Sequence, residues 1–274
     1  MTLSYFDICR SILEGPNLEN KLLDLTKIDF DEFKNYSIPA LPGRSERLQM
    51  SDKRTKFPKS FEHADARAKA LHFFANHELL AIEMMAAALL YFPHKNEEDI
   101  KFKKGIIQTL KEEQKHFKLY IYRMKEFGLE FGDLPLNHFF WRQMHSLKSP
   151  EEYLAMMSLT FEMANLDFMM IYKEAFLKVE DTKTAAILDI VLDDEISHVA
   201  FGVNYLNRKK QTRDLWSYYE SLLPMPLTPV RSKGQMLNKE ARLKTGIDQD
   251  FLKQAENYSD NYQVTIRKEW KKND

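Results

Sequence analysis

The sequence predicts an all-α protein built on a four-helix bundle, with shorter helices at both ends. Only eight glycines and ten prolines interrupt its 274 residues, and apolar side chains recur every three or four positions through the middle of the chain. Two short connections and one long connection separate the helical stretches, which is typical of two helical hairpins joined by a crossover.

The four long helices occupy the part of the chain with the most regular apolar spacing. They are predicted at residues 63–92, 98–127, 149–178 and 182–209. Before them, one or two short helices lead into a basic, proline-bearing arm, "IPALPGRSERLQMSDKRTKFPKS". After them, three prolines in "LLPMPLTPVRSKGQMLN" exclude a regular helix, and short helices are expected to about residue 270. The predicted segments are therefore residues 1–60, 61–210 and 211–274.

Composition limits the classes of partner and compartment. Forty Lys and Arg against 41 Asp and Glu leave a net charge of -1, so no overall field attracts nucleic acid or an anionic membrane. The longest apolar run, "MMAAALLYF", is far shorter than the roughly 20 residues of a membrane-spanning helix. The single Cys9 cannot form an internal disulfide, and the first residues do not resemble a signal peptide. We expect a cytoplasmic protein with no membrane segment.

A repeated pair of an acid and an imidazole carries the chemical signal of this sequence. "KEEQKHF" places Glu113 three residues before His116, and "LDDEISHVAFG" places Glu195 three residues before His198. Residues at this spacing project from one face of a helix, about 5–6 Å apart. Both members recur 82 residues later, which indicates a duplicated unit rather than two accidental pairs.

The first helix of each predicted hairpin supplies a further glutamate. A shift of 82 to 84 residues superposes "HELLAIEMM" on "FEMANLDFMM", so that Glu78 falls on Glu162. The next paired glutamate follows 35 residues after Glu78 and 33 residues after Glu162. These intervals suit an antiparallel hairpin whose two glutamates face each other at one height, so each hairpin offers two glutamates and one histidine.

This combination matches a known type of dimetal site. In four-helix bundles, one Glu from each of two helices and a Glu-x-x-His from each of the others bind a di-iron or di-manganese pair. The predicted ligands are Glu78, Glu113, His116, Glu162, Glu195 and His198. Four carboxylates offset the charge of two divalent ions, and Glu113 and Glu195 are expected to bridge them. We expect two iron ions, with manganese or a mixed pair left open because these ligand types suit both metals.

Glu83 competes with Glu78 as the ligand on the first long helix, because it also has apolar neighbours at helical spacing. Five residues turn a helix by about 140° beyond one full circle, so the two acids cannot face the same centre. The internal repeat favours Glu78. Asp167 matches Glu83 in the second half, and we interpret both as buried acids that form hydrogen bonds between helices, with a role around the metals as the alternative.

Three neighbours of the predicted ligands are interpreted differently. Glu112 shares its helical face with polar side chains and is predicted to face solvent. Asp194 is either an exposed acid or a partner that orients His198, four residues further along the helix. His77 is adjacent to Glu78, so it points about 100° away and is expected to pack rather than bind metal.

Beyond these residues, the chain resembles a family of ferritin-like proteins of unknown function and, more distantly, the di-iron tRNA hydroxylases. The resemblance covers roughly residues 40 to 247. Its recurring segments are "LPGRSERL", "HELLAIEMM", "DEISHVAFG" and "LNKEARLKTGI". It implies a ferritin-like bundle with the dimetal ligands named above, and it leaves the reaction open.

Three functions remain compatible with such a centre. The leading hypothesis is an O₂-dependent oxidase or hydroxylase of an organic molecule; the alternatives are manganese catalase-like disproportionation of peroxide and non-catalytic iron storage. Expected partners are a small-molecule substrate, an electron-donor protein and a second copy of the chain. The resemblance adds tRNA, for which the only other hints are the basic clusters at residues 44–59 and 208–213. The expected substrate wall, beneath the strap at residues 224–233, comprises Phe117, Met163, Leu166, Met170 and Phe201.

Overall fold

The computed structural model describes residues 3–26, 28–30, 33–53 and 55–259, and it is all-helical apart from two short paired segments. The helices are α1 (Tyr5–Glu14), α2 (Leu18–Lys21), α3 (Ala64–Tyr91), α4 (Glu97–Lys125), α5 (Pro150–Met156), α6 (Met163–Leu177), α7 (Thr182–Lys209), α8 (Leu215–Leu222), α9 (Lys239–Lys244) and α10 (Gln249–Asn257). Leu3–Ser4 and Ile28–Asp29 pair as parallel two-residue strands. The predicted all-α class is confirmed, and the helix expected near residue 270 lies outside the described residues.

Four long helical stretches form two hairpins. The helix α3 packs on α4, α6 packs on α7, and the hairpins meet mainly along α4 and α7. Local capping explains why these helices begin where the sequence predicts. Asn96 caps α4 by accepting from the Asp99 amide, and Asp181 caps α7 by accepting from the Thr184 amide. The helix α5 begins with Pro150, whose fixed φ suits the first helical turn.

The third long stretch departs from the uninterrupted helix predicted at residues 149–178. A π segment, Met157–Glu162, joins α5 to α6, and the Thr160 hydroxyl donates to the Ala155 carbonyl at 2.8 Å. The helix α7 approaches this segment closely at Gly202, where an added Cβ would collide with the Ser158 side chain. Because π segments change the direction in which side chains project, this one helps to set the orientation of Glu162 at its end.

Two helical stretches are apolar enough to be compared with membrane spans. They are Ala64–Tyr91 and Pro150–Leu177, and 89% and 78% of their most apolar windows are buried inside the protein. Both stretches are therefore core helices of the fold.

The terminal segments are attached to the long helices by buried arginines. Arg44, in the N-terminal arm, donates to both oxygens of Glu83 on α3 at 3.0 and 2.6 Å, and Lys21 lies 3.1 Å from the same carboxylate. Arg242 on α9 donates to both oxygens of Asp167 on α6 at 2.9 and 2.7 Å. Glu83 and Asp167 therefore act as buried acids that bind other segments of the chain, as the sequence suggested.

Candidate metal centre

Two groups of three buried side chains could each hold a metal ion, and they share one residue. One group consists of Glu78, Glu113 and His116, and the other of Glu113, Glu162 and His198. Within each group, one possible ligand atom from each residue lies within 4.8 Å of the others. The groups combine α3, α4, the end of the π segment and α7, so the site exists only when both hairpins are assembled.

Glu113 lies between the two histidines. Its Oε1 is 3.2 Å from Nδ1 of His198, and its Oε2 is 3.7 Å from Nδ1 of His116. The two imidazole centroids are 5.9 Å apart. One carboxylate thus presents one oxygen to each ring, which is the arrangement that a carboxylate bridging two neighbouring cations needs.

Glu195 completes the cluster in a different manner. Its Oε2 is 3.5 Å from Nδ1 of His198, while its Oε1 accepts a hydrogen bond from Asn165 Nδ2 at 2.7 Å. Glu195 belongs to neither three-residue group, and only one of its oxygens is directed at the histidine. The structure therefore brings all six predicted ligands into one buried cluster, but it surrounds Glu113 and Glu195 differently.

Several polar atoms of this cluster are buried and make no hydrogen bond. They are Glu113 Oε2, His116 Nδ1, Glu162 Oε2, Glu195 Oε2 and His198 Nδ1. Buried polar atoms normally have partners, and leaving one without a partner costs about 1–3 kcal/mol. Carboxylate oxygens and imidazole nitrogens are also donors that transition metals bind. The residues present thus fit a metal centre, which would provide the partner that these atoms lack.

The outward nitrogens of the two histidines are held by acids from the opposite helix. His198 Nε2 donates to Glu112 on α4 at 2.8 Å, and His116 Nε2 donates to Asp194 on α7 at 2.8 Å. Such outer partners fix the ring so that its other nitrogen faces the metal. Here that nitrogen is Nδ1, the atom directed at Glu113 in both rings.

This pairing corrects two sequence-based interpretations. Glu112 does not simply face solvent, because its side chain is only 22% exposed and holds His198. Asp194 holds His116 instead of His198, the histidine on its own helix. Neighbours along one helix do not decide these contacts. The packing of α4 against α7 places Glu112 and Asp194, each of which directly precedes a paired glutamate, beside the histidine of the opposite helix.

Without metal, protons compensate the crowded carboxylates. Burial raises the pKa of Glu78 well above its ordinary value, and the charge of Glu113 raises it further. Burial likewise raises the pKa of Glu162 to about 8 and also raises the pKa of Glu195. Burial alone would raise the pKa of Glu113 as well, but the adjacent side chains of Glu78, His116 and His198 lower it. Burial thus favours the neutral forms of Glu78, Glu162 and Glu195, whereas the neighbours of Glu113 favour its ionised form.

The histidines are protonated in the same state. Burial opposes the charge of His116, yet its hydrogen bond to Asp194 and the nearby charge of Glu113 raise its pKa to about 9. The pKa of His198 is also raised against the effect of burial, first by its hydrogen bond to Glu112. Because metals bind deprotonated ligands, a metal entering this cluster must displace these protons.

Residues beyond the predicted set also surround the cluster. Asn165 lies three residues after Glu162, whereas Ala81 lies three residues after Glu78. This difference between the two halves of the internal repeat is the sequence signal that could have identified Asn165. Tyr120 and Tyr153 are fully buried nearby, and burial raises the pKa of both phenols before the charge of the carboxylates adds to it. No sequence pattern distinguishes these tyrosines from other core residues.

Two of the surface cavities in the described part of the chain have volumes of about 350 and 250 Å³. The larger one is lined by Arg67, Arg123 and residues 179–183, and none of the six cluster residues lines either cavity. Among the residues expected to form a substrate wall, Phe117, Met163 and Leu166 are fully buried. A substrate cavity beneath the strap at residues 224–233 stays a prediction.

Fold and cluster together define an all-helical protein with a buried carboxylate and histidine site that could hold metal. Residues 16–253 match the family described as protein of unknown function (DUF455), and the chain belongs to that family. The matched range includes both hairpins and all six cluster residues. The chain is also similar to an "Uncharacterized protein" of Haemophilus influenzae, with 28% identity over 201 residues, 71% of this chain and 69% of the relative. No solved structure matches.

Proposed function

We propose that this protein is a ferritin-like dimetal carboxylate enzyme that uses O₂ to oxidise a small organic molecule. The observation that carries the proposal is the position of Glu113, whose two oxygens face Nδ1 of the two histidines at 3.2 and 3.7 Å. A carboxylate shared in this way between two imidazoles, with further buried acids on each side, suits a pair of neighbouring cations better than one isolated ion.

The other residues of the cluster would divide between the two metals. The first metal would be held by Glu78, Glu113 and His116, and the second by Glu113, Glu162, Glu195 and His198. The four carboxylates would balance the charge of two divalent ions within a core of low dielectric. When reduced iron is bound, it supplies the electrons with which O₂ is activated. The protein binds and orients these ions and excludes water around them.

The number of electrons that the proposed reaction needs indicates one of the expected protein partners. Insertion of one oxygen atom from O₂ into an organic molecule, with the other released as water, consumes two electrons and two protons from outside the substrate. We therefore propose an electron-donor protein as the partner of a hydroxylase, whereas an oxidase would take its electrons from the substrate. A small organic substrate is proposed in both cases. Hydroxylation of a tRNA base is a narrower version of this proposal, and a homodimer stays a prediction.

Anaerobic loading with Fe(II), followed by exposure to O₂, tests the site and its reactivity together. We expect about two irons per chain, an absorption change on mixing with O₂, and O₂ consumption coupled to an organic product when a substrate and reductant are present. His198→Ala should abolish the coupling, and Glu240→Ala, at an exposed residue of α9, should retain it.

Other outcomes would replace this proposal. Preferential loading with manganese and rapid disproportionation of H₂O₂ without an organic product would indicate a catalase-like enzyme. Binding of many irons per chain by a large cage-like oligomer would indicate storage. Loss of O₂ chemistry in Glu240→Ala to the same extent as in His198→Ala would show that the activity does not arise at the cluster.

A further inference from the structure

We infer that Asn165 makes the two metal positions unequal, because it holds Glu195 on the His198 side and leaves the His116 side to bind a small exogenous ligand. This inference rests on the dimetal centre of the proposed function. It assigns Asn165 as a positioning residue that acts through Glu195.

The internal repeat shows where the two halves of the site differ. Glu162 is followed after three residues by Asn165, and Glu78 is followed after three residues by Ala81. Residues at this spacing share a helical face, so each of them lies on the side of its helix that carries the ligand. Ala81 has no polar side-chain atom. The second half of the repeat can therefore restrain a neighbouring carboxylate with an amide group, and the first half cannot.

The restraint is a short hydrogen bond to one specific oxygen. Asn165 Nδ2 donates to Glu195 Oε1 at 2.7 Å, within the range of bonds made to an ionised acceptor. Glu195 Oε2 stays buried without a hydrogen bond, 3.5 Å from Nδ1 of His198. With Oε1 held by Asn165, Oε2 is the oxygen that Glu195 has without a partner, and it faces the His198 side.

Glu113 is the counterpart of Glu195 in the first half, and among the described residues no amide side chain holds either of its oxygens. Its two oxygens face the two histidines, so it can bridge. The sequence pattern predicted two bridging glutamates. The hydrogen bond from Asn165 leaves Glu113 as the one bridge among the described residues.

Unequal ligand numbers follow from this arrangement. The His198 side would have four protein ligands, namely Glu113, Glu162, Glu195 and His198. The His116 side would have three, namely Glu78, Glu113 and His116. Catalytic metal sites keep a coordination position for water or substrate where protein ligands are fewer. A small anion or O₂ is therefore expected to bind on the His116 side. This requires that the Glu195 carboxylate stays on the His198 side and does not take the free coordination position of the other metal.

Azide binding to the oxidised, iron-loaded protein tests this assignment without relying on turnover. Azide is titrated by absorption spectroscopy, and the inequivalence of the two irons is measured by Mössbauer spectroscopy. In Asn165→Ala, Glu195 is free to bridge. We expect the affinity for azide to fall about tenfold, at the lower end of the effects known for outer partners of metal ligands. We also expect the two iron signals to become more alike, with the iron content unchanged.

Matched variants control for the loss of an amide group and for misfolding. Asn204→Ala, at an exposed position of α7, should bind azide as the wild type does. Asn165→Ser keeps a polar group that is too short to reach Glu195, and it should reproduce the loss seen with Asn165→Ala. Wild-type affinity and unequal iron signals in both Asn165 variants would overturn the inference.

The same experiment separates this inference from the proposed function. Protein that loads two irons and shows the expected Asn165 effect, but has no O₂ chemistry, contradicts the proposed function alone. Protein that reacts with O₂ as proposed, but binds azide equally in all variants, contradicts the role of Asn165 alone. Failure of the wild-type protein to load iron would overturn both.

Discussion

Glu113→Ala is the substitution that most directly tests whether the buried cluster is a dimetal site. Glu113 is the residue common to both three-residue groups, so its removal takes one ligand from each metal. Its neighbour Glu112 offers a comparison one position away in the sequence, because Glu112 accepts from the outward nitrogen of His198 and from Gln108 but belongs to neither three-residue group. Both substitutions remove the same chemical group from the same helix, but they should affect metal binding to different extents.

The size of each effect follows from mass action. A metal present at 100 times its dissociation constant stabilises the folded protein by about 2.7 kcal/mol, and two independent metals by about 5.4 kcal/mol. Glu113→Ala should bring this increment close to zero. Loss of an outer partner weakens a metal site roughly 10- to 100-fold. Glu112→Ala should therefore reduce the increment at one site to about 0.4–1.4 kcal/mol and the total to about 3–4 kcal/mol.

Denaturant unfolding with and without metal measures these increments. Each variant is unfolded anaerobically with Fe(II), with Mn(II), and with a chelator, and the difference in unfolding free energy is compared with that of the wild type. Glu240→Ala is the control, because its side chain is 81% exposed on α9 and pairs with Lys244 on the same helix. Wild-type protein whose stability is indifferent to metal and chelator would refute the reasoning, as would a full increment in Glu113→Ala.

Two further predictions concern the buried charges. Metal-free protein should lose stability as the pH rises from about 5 to 9. In the folded state the pKa of Glu162 is raised from 4.5 to about 8 and that of His116 from 6.5 to about 9, so deprotonation favours the unfolded chain. Thermal unfolding at several pH values measures this loss. Asp167→Ala should cost about 3–5 kcal/mol of unfolding free energy, because it leaves Arg242 buried without its ion pair. Glu256→Ala breaks an exposed pair with Lys239 and should cost about 0–1 kcal/mol.

Each of these predictions has a clear opposite result. A melting temperature of the metal-free protein that rises steadily between pH 5 and 9 would show that protonation of the cluster does not stabilise the fold. Equal losses of stability in Asp167→Ala and Glu256→Ala would show that the buried pair with Arg242 contributes no more than a surface ion pair. Denaturant titrations of both variants at pH 7 make that comparison.

Local sequence signals were sufficient for the helices and for the pairs of ligands that share a helix. The predicted bounds of the four long helices agree with the structure to within one or two residues. Apolar spacing and capping residues act over a single turn, so they can be identified without knowledge of the partner helix. The three-residue spacing of Glu113 and His116, and of Glu195 and His198, is local in the same sense. The internal repeat then indicated Glu78 and Glu162 as candidates.

Contacts between distant segments were beyond this kind of prediction. No sequence pattern pairs Arg44 with Glu83 or Arg242 with Asp167, although both arginines lie in segments that carry the family resemblance. The sequence does not predict the π segment either, because residues 153–164 are mainly apolar and buried, so no polar face shows where the helical register changes. These features depend on which segments meet when the chain folds.

By itself, the sequence determined the all-helical class, the positions of the long helices and the residue types able to bind metal, because each depends on neighbours within about one helical turn. Only the tertiary structure decided how those residues act together. Because α4 packs against α7, each histidine is bound by an acid from the opposite helix: Glu112 accepts from His198, and Asp194 accepts from His116. The approach of Asn165 to Glu195 distinguishes the two halves of the repeat. A hydrogen bond requires two atoms about 3 Å apart, and for residues distant in sequence only the folded chain sets that distance.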